Sequence, residues 1–211
     1  MDLEITKIEP QKKNKERYSI YSGEQFIFGV SQDTLIKFDL HTGKNLTADQ
    51  VKKIKDTESD SKLRDQAYRF LSRRAHSQKE LTDKLTTKGY SQVAIGKIIH
   101  EFVQRGYIND TDFAKMFIEE EINLKKSGPL LIKNKLIKKG VLPDIIDGLL
   151  TGIYNAETQS ENCLYLFNKK YRNFQPKQKN AVINYLRGKG YFWEQISAVI
   201  PETSWGNNNE E

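Results

Sequence analysis

The chain has 211 residues, 37% of them hydrophobic and 29% charged, with a formal net charge of +6 and a mean hydropathy of −0.69. That leaves little apolar surface for one large core and suits a row of small helical units. No apolar run approaches the roughly 18 residues needed to span a membrane, no secretory signal is read at the start, and the single cysteine, Cys163, excludes an internal disulfide and points to a reducing cytoplasm.

Residues 1–31 alternate with a period of two in β-forming residues, which predicts strands. The first is read over 3–7, the second over 18–21 and the third over 26–30, joined by a polar loop over 10–16 and a tight turn at Ser22, Gly23 and Glu24. They form an antiparallel meander. Residues 33–40 predict a short helix with Leu35, Ile36 and Phe38 inward, closed by the stretch 41–44. So small a sheet is marginal alone, and it is expected to lean on the repeats or on a partner.

Thr47 and Gln50 have capping-box spacing. Helix follows through Val51 and Ile54 into the acidic stretch 56–61, a loop or a solvated helical linker, where the domain boundary is expected. From Ser61 helix resumes, with Ala67, Tyr68, Phe70 and Leu71 on an apolar side and Arg69, Arg73 and Arg74 on a basic one. Ser77 and Glu80 are a second capping box. Leu81 and Leu85 share a face four residues apart, and Gly89 follows Lys88 where a helix favours a left-handed stop. Ser91 caps the next helix, whose Ile95, Ile98, Ile99, Phe102 and Val103 make one apolar stripe.

This unit recurs. Ile132, Leu136, Lys139, Gly140 and Val141 lead into Ile146, Leu149, Leu150 and Ile153; Val182, Leu186, Lys189, Gly190 and Tyr191 lead into Ile196, Val199 and Ile200. The lysine-glycine pair falls at 88/89, 139/140 and 189/190, a period near 50 that marks a tandem array. Asn109 or Asp110 caps the opening helix of the second repeat, with Phe113, Ala114, Phe117 and Ile118 inward, and Glu121 with Lys125 makes a favourable i, i+4 pair. Gly128 and Pro129, then Pro143, restart helices. In the third repeat Leu164, Phe167 and Tyr171 continue the inward face, Pro176 starts the second helix, and Phe192 and Trp193 replace the cap seen at Ser91. The expected organisation is a β-rich domain over 1–45, a charged helical linker over 46–60, three-helix repeats over 61–108, 109–154 and 155–202, and a flexible tail over 203–211. The fold class is mainly α: three helix-turn-helix-like repeats in an elongated array behind a small antiparallel β-meander.

Residues 1–60 hold 10 Lys and Arg against 11 Asp and Glu; residues 61–211 hold 24 against 17. Residues 125–140 contain six lysines and no acid, and residues 169–189 contain seven Lys and Arg and no acid. Such stripes concentrate polyanions, although a solvated helix face looks the same. No catalytic constellation, metal site or cofactor site is read. His41, His76 and His100 lack ligand spacing, Cys163 reads as a small buried residue, and Asp110 and Asp112 are better explained as capping than as a nuclease pair. The lysine-glycine pairs lack the glycine spacing of a phosphate loop. Tyr90 and Tyr191, equivalent positions, are expected in the core. Gln92, Asp144 and Glu194, the residues at the third-helix starts, suit major-groove readout poorly because two of them are acids.

Three segments carry a family resemblance: Phe70 to Leu85 with Arg73, Ser77, Glu80 and Leu81; Gly106 to Ala114 with Asp110 and Phe113; and Ser127 to Gly140. Together they resemble the RecX regulatory-protein family, over residues 61–200 closely and over the β-rich start as in its longer members. Asn109 departs from the pattern, where a second acid beside Asp110 is expected. The resemblance implies three tandem three-helix repeats and no enzyme. It implies a regulator that lodges in the helical groove of the RecA recombinase filament on single-stranded DNA and modulates it, inhibiting ATP hydrolysis and strand exchange and destabilising the filament; a cytoplasmic monomer is expected. Basic residues Arg69, Arg73, Arg74, Lys125, Lys126, Lys133, Lys138 and Lys139 are then the candidate contacts to filament or DNA. The alternative is a helical-repeat protein that coats DNA by itself.

Overall fold

The computed structural model describes residues 3–12 and 14–201; the tail expected over 203–211 lies outside them. Five strands and ten α-helices follow in order: β1 Leu3–Glu4, β2 Lys7–Gln11, β3 Asn14–Ser22, β4 Gln25–Ser31, α1 Gln32–Lys37, β5 Asn45–Leu46, α2 Ala48–Leu71, α3 Gln78–Thr87, α4 Gln92–Gln104, α5 Asp110–Asn123, α6 Pro129–Lys138, α7 Pro143–Ile153, α8 Ala156–Lys170, α9 Lys179–Gly188 and α10 Trp193–Val199. A 3₁₀ turn, Pro176–Gln178, leads into α9. The described residues divide into two compact units, one of residues up to 72 with 85–98, the other of 73–84 with the chain from 99 onward.

In the first unit the meander is β2-β3-β4, antiparallel throughout, while β1 leaves it to pair with β5. The first strand of the meander therefore begins at Lys7, four residues later than the alternation from Leu3 suggests, and runs into the stretch read as loop. Pro10 is tolerated because β2 is an edge strand and needs no donor on its outer side. Ile20 pairs with Ile8 on one side and Phe28 on the other. These strands bury Ile20, Phe28 and Val30 with Ile5, Leu40, Leu46 and, from α2, Ile54. In α1, Leu35 and Phe38 pack on this cluster, but Ile36 is exposed: the helix ends at Lys37, and its short inner face is taken by Thr34 and Leu35.

Helix α2 is unbroken for 24 residues, with the capping box at Thr47 and Gln50 in place. The acidic stretch 56–61 is helical, and one of its acids is not solvated. Glu58 is 4% exposed and accepts bonds from the Ser31 amide at 2.7 Å, the Ser31 hydroxyl at 2.8 Å and Arg17 at 2.8 Å. Burial alone would raise its pKa; the bonds from Ser31, Thr34 and Arg17 bring it below the usual value.

In the second unit, α5, α6 and α7 enclose Phe113, Ala114, Ile118, Ile122, Ile132, Leu136, Val141, Ile146, Leu150 and Tyr154. Helices α8, α9 and α10 enclose Cys163, Leu166, Phe167, Val182, Leu186, Tyr191, Ile196 and Ile200. Leu164 is exposed, because the inward position one residue earlier is filled by Cys163. Gly89, Gly140 and Gly190 take φ of +85, +84 and +88, the left-handed stop expected after each second helix.

Each lysine-glycine turn of the second unit docks on the start of the second helix of the preceding repeat. The Ser77 hydroxyl donates to the Lys139 carbonyl at 2.6 Å, and Gly140 lies against the aliphatic stem of Lys79. Fifty residues on, the Gly128 amide donates to the Lys189 carbonyl at 2.7 Å and the Leu130 amide to the Gly190 carbonyl at 3.1 Å. There the two backbones touch, so a Cβ on Gly128 would collide with the Gly190 carbonyl, and one on Gly190 with Leu131. The Tyr191 hydroxyl closes the joint, bonding the Lys126 carbonyl at 2.8 Å and facing the Tyr154 hydroxyl at 3.3 Å.

Candidate functional site

The basic residues singled out in the sequence have different fates, and their acid partners decide which. Ser77 caps α3 by accepting the Glu80 amide at 3.1 Å, and this fixes Glu80 in the first turn. Arg74 donates to Glu80 at 2.9 Å and also to the Ala75 carbonyl at 2.7 Å, and Lys139 reaches the other carboxylate oxygen of Glu80. Burial would raise the Glu80 pKa, but the bonds and charges of Arg74 and Lys139 hold it down at about 2. Lys139 also lies over the rings of Phe117 and Phe113, at 5.3 and 5.8 Å from their centroids. His76, buried beside this cluster with Nδ1 2.9 Å from the Arg74 carbonyl, has its pKa lowered by burial and by the Arg74 charge.

A second carboxylate does the same in α5. Glu121 is 1% exposed and accepts from Lys135 at 2.6 Å, the Ser127 hydroxyl at 2.7 Å and Lys125 at 2.9 Å. The expected i, i+4 pair of Glu121 with Lys125 is present, and its acid is the buried centre of a larger cluster. Lys133 bonds Asp147 at 2.6 Å. Four of the eight candidates, Arg74, Lys125, Lys133 and Lys139, are neutralised within the chain. Arg69, Arg73, Lys126 and Lys138 form no ion pair among the described residues. Arg69 lines a polar cleft of about 720 Å³ in the first unit, with Arg17, Lys62, Asp65 and Tyr90.

Periodicity did not single out an apolar cleft, also of about 720 Å³, on the outer side of α5. Phe113, Met116, Phe117 and Leu124 line it with Ala75, and Arg74, Lys139, Glu119 and Glu120 surround them. Met116 is 57% exposed and Leu124 77%. Both fall off the inward stripe of α5, and apolar residues left over once the stripe is assigned are the signal that would have found them. Such a surface can hold an apolar side chain of a partner between fixed charges.

Asp110 and Cys163, weighed above for chemistry, are taken up by the fold. The Asp110 carboxylate accepts the Gln78 amide at 2.8 Å and so caps α3, while the Asn109 side chain caps α5 through Thr111 and Asp112. Cys163 is buried, and burial pushes its thiol up to about 12. Among the described residues no group of three His, Cys, Asp or Glu side chains could hold a metal ion.

Three sequence profiles match in chain order: Regulatory protein RecX N-terminal domain over residues 3–47, the first three-helix domain of RecX over 64–102, and the second over 109–150. The Regulatory protein RecX of Clostridium botulinum (strain Alaska E43 / Type E3) is 31% identical over 204 residues, spanning 94% of this chain and 95% of that protein. The chain belongs to the RecX family. A RecX of Listeria monocytogenes serotype 4a (strain HCC23) is 31% identical over 206 residues, 96% of this chain and 76% of that one. A crystal structure of regulatory protein RecX superposes with a TM-score of 0.69 at 26% identity, covering 93% of this chain and 98% of the other. RecX from Lactobacillus salivarius gives 0.59 at 26% identity, over 68% and 95%. In this RecX chain Asn109 stands where a second acid was expected, and its carboxamide oxygen caps α5 without one. RecX is a family of regulatory proteins, and no helix among the described residues is long and apolar enough to cross a membrane.

Proposed function

We propose that this chain binds the RecA recombinase filament on single-stranded DNA, lodges in its helical groove, and inhibits ATP hydrolysis and strand exchange while loosening the filament. It acts as a cytoplasmic monomer and carries out no reaction of its own. The observation that carries this reading is membership of the RecX family along nearly the whole chain. Two features of the second unit agree with it: the apolar cleft on α5 suits a protein partner, and Arg73, Lys126 and Lys138 leave positive charge for an acidic surface or for DNA phosphates. In the first unit Arg69 does the same. Arg74, Lys125, Lys133 and Lys139 hold the fold's own acids, so any contact they make is shared with those acids.

The test is the ATPase rate of a cognate RecA on single-stranded DNA, titrated with this protein, with naked-DNA affinity measured in the same buffer. Suppression at substoichiometric protein with weak naked-DNA binding is expected, and Arg73→Glu combined with Lys138→Glu weakens it while the melting temperature holds. Suppression only at concentrations that saturate the DNA would replace this reading with DNA coating.

A further inference from the structure

The second and third repeats treat their lysines differently. In the second, Lys125, Lys133, Lys135 and Lys139 are matched by Glu80, Glu120, Glu121 and Asp147. In the third, no acid occurs between Glu161 and Glu194. Among the described residues Lys169, Lys170, Arg172, Arg187 and Lys189 form no ion pair. What those lysines face instead is aromatic. Lys126 and Lys169 approach Tyr165 to 5.9 and 5.8 Å from its ring centroid. Lys170 lies 3.9 Å over Tyr185, with Lys189 at 5.7 Å from the same ring and Tyr171 edge-on to it. Tyr165 is 49% exposed on α8, which gives a flat apolar ring with the ammonium groups of Lys126 and Lys169 beside it. Lys126 is also fixed in place: its backbone is left-handed at φ +54 and its carbonyl is held by the buried Tyr191 hydroxyl.

We propose that the C-terminal half of α8, with Lys126 and α9, is a binding strip for single-stranded nucleic acid, in which Tyr165 offers a ring for a base to stack on and Lys126, Lys169, Lys170 and Lys189 meet the phosphates. Unmatched lysines alone would serve any polyanion. The half-exposed tyrosine between them favours a single strand, whose bases are free to stack, over a duplex, whose bases are not. Glu161, one turn before Tyr165 on α8, is the acid nearest in sequence and limits the strip at that end. This proposal deepens the nucleic-acid side of the function above and is independent of its recombinase side.

The experiment is fluorescence anisotropy of a labelled oligothymidylate with the full chain and no recombinase, against a hairpin duplex of equal charge and over a salt series. The expected result is single-strand binding that weakens with salt. Lys169→Glu with Lys189→Glu lowers affinity by at least about tenfold. Tyr165→Ala lowers it by about fivefold and Tyr165→Phe leaves it close to the parent, as the ring face and not the hydroxyl makes the contact. Lys115→Glu, an exposed lysine of α5, controls for general charge. A double reversal no worse per charge than Lys115→Glu, a Tyr165→Ala protein that binds like Tyr165→Phe, or a duplex bound as tightly as the single strand overturns the proposal. Absence of filament inhibition by the parent chain, with this binding intact, would count against the recombinase reading instead.

Discussion

The two lysine-glycine joints of the second unit share a topology and differ in chemistry. At the joint between the first and second repeats, a side chain makes the bond: the Ser77 hydroxyl holds the Lys139 carbonyl, and the neighbouring Gln78 amide is satisfied by Asp110. At the joint between the second and third repeats, the backbone makes it: the Gly128 amide holds the Lys189 carbonyl, and the Ser127 hydroxyl turns away to Glu121. In the first arrangement the wall facing Gly140 is a side chain, the stem of Lys79, which a Cβ there would strike. The second brings main chain against main chain and needs glycine on both sides. A joint built from backbone is closer and less tolerant; one built from side chains is adjustable.

Alanine substitutions break this comparison in order of severity. Gly190→Ala combines a left-handed backbone with a collision against Leu131, and roughly 4 kcal/mol of destabilisation is expected, read as a lower urea midpoint. A loss under half of that would mean the close approach relaxes freely. Ser77→Ala removes one hydroxyl that both caps α3 and satisfies the Lys139 carbonyl, and should cost about 2 kcal/mol in the same measurement. Gly89→Ala isolates the backbone contribution, since a Cβ there meets nothing within 4 Å, and about 1 kcal/mol is expected, visible as a small drop in melting temperature. If Gly89→Ala proved as costly as Gly190→Ala, strain at the turn rather than packing at the joint would explain all three lysine-glycine pairs.

The repeat pattern was legible because it rests on local rules. Capping residues, the 3.6-residue stripe and the left-handed glycine stops act within a few residues, so Thr47, Ser77, Asn109 and the glycines at 89, 140 and 190 could be read directly. The errors fell where a distant partner decides. Leu3 alternates like a meander strand but pairs with Leu46 outside the meander. The stretch 56–61 looks solvated, yet Glu58 is buried because Ser31 and Arg17 come to it from the sheet. Glu121 and Lys125 form the i, i+4 pair their spacing gives, worth a few tenths of a kcal/mol, but only the arrival of Lys135 and Ser127 makes Glu121 a buried hub.

The same division runs through the candidate site. Composition and periodicity located the basic stripes over 125–140 and 169–189 without separating the lysines that hold internal acids from those that do not. That separation depends on which carboxylates the fold carries to them, and Met116 and Leu124 became a cleft lining only when α5 turned its other face inward. The helical repeats, their period, their stops and the family could be read from residue order alone, because these follow from short-range sterics and local spacing. The charge pairing, the two kinds of joint and the exposed aromatic ring on α8 emerged only on folding, because ion pairs and close backbone contacts depend on distances between residues tens of positions apart.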